Sequence, residues 1–147
     1  MEKNLGIKWY DTLDSTNSQA ARELDTAPEG SVWIADFQTA GRGQRGNKWE
    51  SGKGENLTFS ILFRPVFLSP AQQFQVSQAV SLGVQRYLCG KGLDAKIKWP
   101  NDIYIGNKKI CGMLIEHSIS SDKLSGSIVG IGFNLNQKEF SPELTNP

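Results

Sequence analysis

The order of secondary-structure signals along the chain is what most constrains its fold, because strand signals outnumber helix signals and only the first half alternates the two. Strands are predicted over residues 7–12, 31–37, 56–63, 95–99, 103–105, 109–119 and 124–135. Helices are predicted from Ser15 or Thr16 to about Leu24, and from Ser69-Pro70 to Gly90 or Gly92. This order predicts one α+β domain over residues 1–147: a mixed, largely antiparallel β-sheet with helices packed on one face.

Composition excludes several classes of protein. The 147 residues carry 16 Lys plus Arg against 15 Asp plus Glu, a net charge of +1, which does not suit a strongly basic nucleic-acid binder. No apolar run is long enough to span a membrane, and residues 1–5 lack the apolar core of a signal peptide. Cys89 and Cys111 lie far apart without metal-type spacing. We expect a cytoplasmic protein in a reducing compartment.

The segment 38–55 is a long glycine-rich loop between two predicted strands. Its core is the run Gly41-Arg42-Gly43-Gln44-Arg45-Gly46, in which glycines allow close backbone approach and arginines offer forked donors to phosphate or carboxylate. The run lacks the Lys-Ser/Thr ending of a Walker loop. A small anionic ligand and an RNA-binding Gly-Arg tract both stay open on these residues alone, and Trp49 in the same loop could stack on a base.

A second candidate site follows the predicted strand at 95–99. The run Lys98-Trp99-Pro100-Asn101-Asp102 is followed by a Gly106-Asn107 turn, which would return Lys109 to a position beside Asp102. An Asp–Lys pair near a basic loop could orient an amine and neutralise a phosphate. The structural alternative is an Asx turn with a solvated lysine.

Four further features bear on the chemistry. Asp14-Ser15-Thr16-Asn17 suits a helix N-cap and could also bind a polar group, and the glycines of 130–136 let a partner approach a strand closely. His117 is the only histidine, so neither a hydrolase triad nor a histidine metal cluster is available, and no metal-ligating residues are predicted. Both cysteines are interpreted as packing residues.

Taken in order, five segments resemble the catalytic domain of biotin protein ligases, also called biotin–[acetyl-CoA-carboxylase] ligases, from about Trp9 to Asn136. These segments are residues 14–17, residues 38–46 with Trp49, residues 98–102, residues 109–116 and residues 130–134. The resemblance implies the class II synthetase-like fold of biotin and lipoate ligases. It also implies a reaction in which biotin and ATP, with Mg²⁺, form biotinyl-5′-AMP, followed by transfer of biotin to a lysine of a carrier domain.

The resemblance also implies residue roles. Catalytic roles fall on Arg42 and Lys109, which would screen two anions, and on Asp102, which would orient the lysine amine. Biotin-binding roles fall on Ser15, Thr16, Asn17, Gln38, Gly41, Arg42, Lys109 and Gly112. ATP- or adenylate-binding roles fall on Arg42, Gly43, Gln44, Arg45, Trp49, Asn101, Lys109 and Asn134, with Trp49 packing on adenine when the loop closes.

The chain departs from the family pattern at Gln44, where many relatives carry Arg. No helix-turn-helix segment precedes Trp9, so DNA binding is not expected, and the chain ends at Pro147, before the further helices and small C-terminal domain of relatives. The expected partner is a biotin carboxyl carrier domain, and pairing of edge strands into a homodimer stays open. Alternatives are a lipoate-type ligase or transferase and a truncated module that binds biotin or its adenylate without turnover.

Overall fold

The computed structural model describes residues 6–144, which form a single seven-stranded sheet with two α-helices. The strands are β1 (Ile7–Leu13), β2 (Val32–Gln38), β3 (Leu57–Phe63), β4 (Ala95–Lys98), β5 (Asp102–Ile105), β6 (Lys108–Ser120) and β7 (Lys123–Phe133), and the helices are α1 (Thr16–Arg22) and α2 (Phe74–Gly90). Single 3₁₀ turns occupy Gln44–Gly46 and Pro70–Gln72. Residues 1–5, where no signal peptide is predicted, lie outside the described residues. So do residues 145–147, the last three of the predicted domain.

The sheet has the order β1-β2-β3-β7-β6-β5-β4. Only β1 and β2 run parallel, connected through α1, and every other neighbouring pair is antiparallel. A hairpin through Gly106-Asn107 connects β5 to β6, as the turn signal predicted. The predicted mixed, largely antiparallel sheet is therefore confirmed.

The helices do not share one face of the sheet, which corrects that part of the prediction. Side chains alternate across a strand, and on β7 Ile128 packs with Ala20 of α1 while Val129 and Ile131 pack with Val76 of α2. α1 and α2 therefore lie on opposite faces. The physical reason is that β7 is buried on both faces, so each face needs its own cover.

No helix within residues 6–144 combines the length and apolar character needed to cross a membrane.

Candidate active site

A cleft of about 890 Å³ opens on the face of the sheet that carries α1. Its volume lies in the range of small-molecule sites. Every residue to which the sequence assigned a catalytic, biotin-binding or adenylate-binding role lines this one cleft: Ser15, Thr16, Asn17, Gln38, Gly41, Arg42, Gly43, Gln44, Arg45, Trp49, Asn101, Asp102, Lys109, Gly112 and Asn134. The structure thus brings five separated segments together; the individual roles stay predictions.

The floor of the cleft is made of backbone, because glycines of β6 and β7 lie opposite each other. Gly112 pairs with Gly132, and Leu114 pairs with Gly130. A Cβ at Gly132 would collide with the Trp49 ring, and one at Gly112 would lie 2.8 Å from Trp49 Cζ3. The missing side chains therefore create a slot deep enough for a flat group, and in this structure the Trp49 indole occupies it.

The glycine-rich loop has defined local structure over the cleft. Gly43 N–H donates to the Asn47 carbonyl at 2.7 Å, and Trp49 N–H donates to the Gly41 carbonyl at 3.0 Å. Arg45 at φ 55° and Gly46 at φ 79° both adopt the left-handed region, and they reverse the chain at the tip, inside the inner bond from Gly43 to Asn47. The loop therefore forms a narrow hairpin-like flap, residues 41–54, in which Trp49 lies on the glycine floor of the cleft.

Lys109 and Asp102 meet as the hairpin prediction required. Lys109 Nζ lies 3.1 Å from Asp102 Oδ1, and both side chains are largely buried. Lys109 Nζ also lies 5.6 Å from the centroid of the Trp49 ring, a cation–π distance. The lysine is therefore held between a carboxylate and an aromatic face, at the junction of the glycine floor and the flap.

The start of α1 closes the opposite end of the cleft. Ser15 is the N-cap, and its Oγ accepts from Ser18 N–H at 3.3 Å, as the capping interpretation predicted. Thr16 N–H donates to Gln38 Oε1 at 2.7 Å. Ser15, Thr16 and Asn17 are all buried. The polar residues at this end of the cleft are thus already hydrogen-bonded within the protein.

Two asparagines behave differently from each other. Asn101 is buried and its Nδ2 donates to the Met113 carbonyl, so its amide nitrogen holds the β4–β5 turn against β6. Asn134 Nδ2 donates to the Lys109 carbonyl at 3.1 Å, while its Oδ1 is buried without a partner among the described residues. A buried acceptor without a partner is costly. Asn134 Oδ1 is therefore the amide oxygen that is available to a ligand.

Sequence reasoning missed residues that hold the site together. Glu116 forms a two-point ion pair with Arg42 and accepts from Asn17, and buried Ser60 bonds both Thr16 and Asn17. Ser60 and Glu116 lie in strands that were predicted from their apolar residues alone. Strand alternation was the available signal, since Ser60 and Glu116 are polar residues on the face opposite those apolar side chains.

Neither cysteine lines the cleft, and His117 does not line it either. Burial raises the pKa of the Cys111 thiol to about 12, with a further increase from nearby Asp102, so this cysteine is not a nucleophile. Cys89 is a free thiol. Within the described part of the chain, no three histidine, cysteine or acidic side chains come together as a metal site.

Solved structures of known proteins share this fold. The biotin protein ligase from Aquifex aeolicus in complex with biotin and ATP matches with a TM-score of 0.72 and 33% identity, over 96% of this chain and 57% of that one. The ligase from Leishmania major in complex with biotinyl-5-AMP matches with a TM-score of 0.71 and 28% identity, over 96% and 62%. The fold is the class II synthetase-like fold of biotin protein ligases.

Sequence comparison gives the same family. The bifunctional ligase/repressor BirA of Bacillus subtilis is 40% identical over 141 residues, which cover 92% of this chain and 43% of that protein. The model of the biotin/lipoate A/B protein ligase family matches residues 9–134. The chain belongs to this family, and it spans less than half the length of the curated relative.

Proposed function

We propose that the chain activates biotin with ATP to biotinyl-5′-AMP and transfers biotin to a lysine of a carrier domain. The observation that carries this proposal is the convergence of Arg42 and Lys109 on one cleft with a glycine floor. Two cations beside exposed backbone suit a reaction in which two anions must meet. Similar proteins with solved structures hold biotin with ATP, or biotinyl-5-AMP.

In the first step, a biotin carboxylate oxygen attacks the α-phosphorus of ATP. A mixed anhydride forms, the bond between the α- and β-phosphates breaks, and pyrophosphate leaves with the bonding electrons. Lys109 and Arg42 would screen the repulsion between the carboxylate and the phosphate, and loop N–H groups would add donors. The chain's contribution to this step is orientation and charge, with no covalent intermediate on the protein.

In the second step, the carrier lysine amine attacks the acyl carbon. An amide forms, AMP leaves with the electrons of the anhydride bond, and the amine loses a proton. Asp102 would orient that amine. The Asp102 carboxylate is already held in place by Lys109, whose Nζ lies 3.1 Å from Asp102 Oδ1. With Trp49 moved from the glycine slot onto adenine, the flap would cover the anhydride and exclude water.

Magnesium would come to this cleft with ATP. This ion commonly takes most of its protein-site ligands from phosphates and water, so the phosphates of ATP would supply most of its ligands here. The unpartnered Asn134 Oδ1 is an oxygen donor in the cleft that suits such an ion. When bound, the ion would neutralise phosphate charge.

We propose a biotin carboxyl carrier domain as the macromolecular partner, and a cytoplasmic location. The two free cysteines fit a reducing compartment. The sheet edges β1 and β4 are where two copies could pair, and light scattering would measure whether a homodimer forms.

The first experiment measures exchange of labelled pyrophosphate into ATP with biotin, using lipoate as the competing substrate, and then biotin transfer to a carrier domain. Biotin-dependent exchange with transfer supports the full proposal. Exchange with lipoate alone would assign the lipoate reaction instead. Biotin binding by calorimetry without exchange would leave a binding module. Binding of RNA that falls steeply with salt and ignores biotin would favour the RNA-binding alternative.

A further inference from the structure

Glu116 contacts two cleft residues without lining the cleft itself. Its Oε1 accepts from Arg42 Nη1 at 2.6 Å, and its Oε2 accepts from Arg42 Nη2 at 3.0 Å and from Asn17 Nδ2 at 2.9 Å. One carboxylate therefore fixes a side chain of the flap and a side chain of α1 at the same time.

The pairing fixes the orientation of the Arg42 guanidinium. A two-point bond to a carboxylate restrains both position and plane, whereas a single contact would leave rotation free. Glu116 uses Nη1 and Nη2, so the Nε–H edge is left to other partners. The backbone of Arg42 is held by the hairpin, in which Arg42 pairs with Lys48, so the carboxylate adds the restraint that the long side chain itself lacks.

The same carboxylate continues into the buried end of the cleft. Asn17 Oδ1 accepts from Ser60 Oγ at 2.6 Å, and Ser60 Oγ lies 2.7 Å from Thr16 Oγ1. Asn17, Ser60 and Thr16 are at most 3% exposed. Gly130 makes room for this chain of bonds, since a Cβ there would collide with the Asn17 amide. The network is continuous from the flap to the start of α1.

The network needs the charged form of Glu116. Partial burial acts to raise the pKa of its carboxyl, but the bonds from Arg42 and Asn17 outweigh burial and leave the pKa below its ordinary value. A neutral amide at this position would place N–H donors against the N–H donors of Arg42 or Asn17.

We infer that Glu116 is a positioning residue. It holds the Arg42 side chain at a fixed position relative to the buried polar end of the cleft, and so the two ends of one bound substrate are fixed relative to each other. This inference rests on the proposed function. It assigns to Glu116 an effect on turnover that passes through Arg42, with a smaller effect on biotin affinity that passes through Asn17.

The test compares Glu116→Gln, Glu116→Asp and the matched control Glu23→Gln in pyrophosphate exchange, with urea unfolding on each. Glu23 is the C-cap residue of α1, pairs with Lys8, accepts from Gln19 and does not line the cleft, so its variant loses comparable contacts of a carboxylate without touching Arg42. We expect Glu116→Gln to lower kcat by about 10- to 100-fold with a smaller rise in KM for biotin. Glu116→Asp should recover part of kcat, and Glu23→Gln should leave kcat unchanged.

A double variant separates positioning from a general structural role. In an Arg42→Ala background, adding Glu116→Gln should lower kcat by less than about 3-fold, because interacting residues are not additive. Full additivity, or unchanged kcat in Glu116→Gln alone, would overturn the inference. If the unaltered chain shows no exchange, the proposed function fails; the inference is then tested by biotin calorimetry, where equal Kd values for the unaltered chain and Glu116→Gln would overturn it.

Discussion

At the scale of single residues, Lys109 has the most demanding position, because its ammonium is largely buried between Asp102 and Trp49. We expect Lys109→Ala to lower biotin-dependent pyrophosphate exchange by about 100-fold or more, because in the proposed reaction it removes a cation from the place where negative charge would develop. The chain should still unfold cooperatively. The matched control is Lys108→Ala on the exposed neighbour in β6. Unchanged exchange in Lys109→Ala would contradict the role.

His117 gives a clean pH measurement because it is the only histidine. Partial burial holds its pKa below the ordinary 6.5, and its Nδ1 lies 2.8 Å from Ser127 Oγ. The unfolded chain therefore binds a proton more readily than the folded chain, so stability should fall as pH decreases below about 6.5. We expect the stability of His117→Gln to depend less on pH between 7.5 and 5.5 in urea unfolding. An NMR titration giving a pKa above 6.5 would refute the premise.

Which site residues could be predicted depended on where each residue type lies. That Arg42, Asp102 and Lys109 share one cleft could be predicted because they lie in a loop and at turn ends, where functional side chains occur more often than within strands; their roles stay predictions. Glu116 and Ser60 were missed because their partners are more than 40 positions away in sequence, in segments whose pairing only the folded sheet fixes. The position of Trp49 on Gly112 and Gly132 was missed for the same reason.

At the scale of elements, the flap around 41–54 should respond to ligand. Its fold depends on a few backbone bonds and on Trp49 entering the glycine slot. We expect biotin with ATP to slow proteolysis within 41–54 by about 10-fold, because the flap would then close on the adenylate. The segment joining α2 to β4 provides an internal control. Equal cleavage rates with and without ligands would argue against closure.

The glycine floor makes a second prediction for elements. Gly132→Ala should destabilise the fold by about 1–3 kcal/mol, because the new methyl group collides with the Trp49 ring. The loss should shrink in a Trp49→Ala background. Gly83→Ala in α2, where an added Cβ meets nothing within 4 Å, should instead stabilise by about 0.5–1 kcal/mol. Urea unfolding measures all three, and a neutral Gly132→Ala would show that the ring does not need the slot.

At the scale of the whole molecule, the strand signals were sufficient to predict a mixed, largely antiparallel sheet, but not its strand order or which face each helix covers. Periodicity identifies the two sides of β3 and β7, with Ser60 and Gly130 on one and Phe59 and Ile131 on the other. It does not say which helix meets which side, because that choice depends on contacts between segments far apart in the chain. The apolar side forms a groove of about 850 Å³ between the sheet and α2.

The alternation along β7 has a consequence for how this protein tolerates inherited variation. Positions 129, 131 and 133 serve the core, whereas 130 and 132 serve the cleft. In a library of all single substitutions, scored separately for cellular abundance and for biotin-dependent growth, neighbouring codons should alternate between two phenotypes. Core positions should lose abundance and growth in step. At 130 and 132 an added side chain also costs some stability, so abundance should fall there too, but growth should fall further than abundance does. The kind of selection acting on each position would then alternate with a period of two residues along a single strand, for folding at one position and for chemistry at the next.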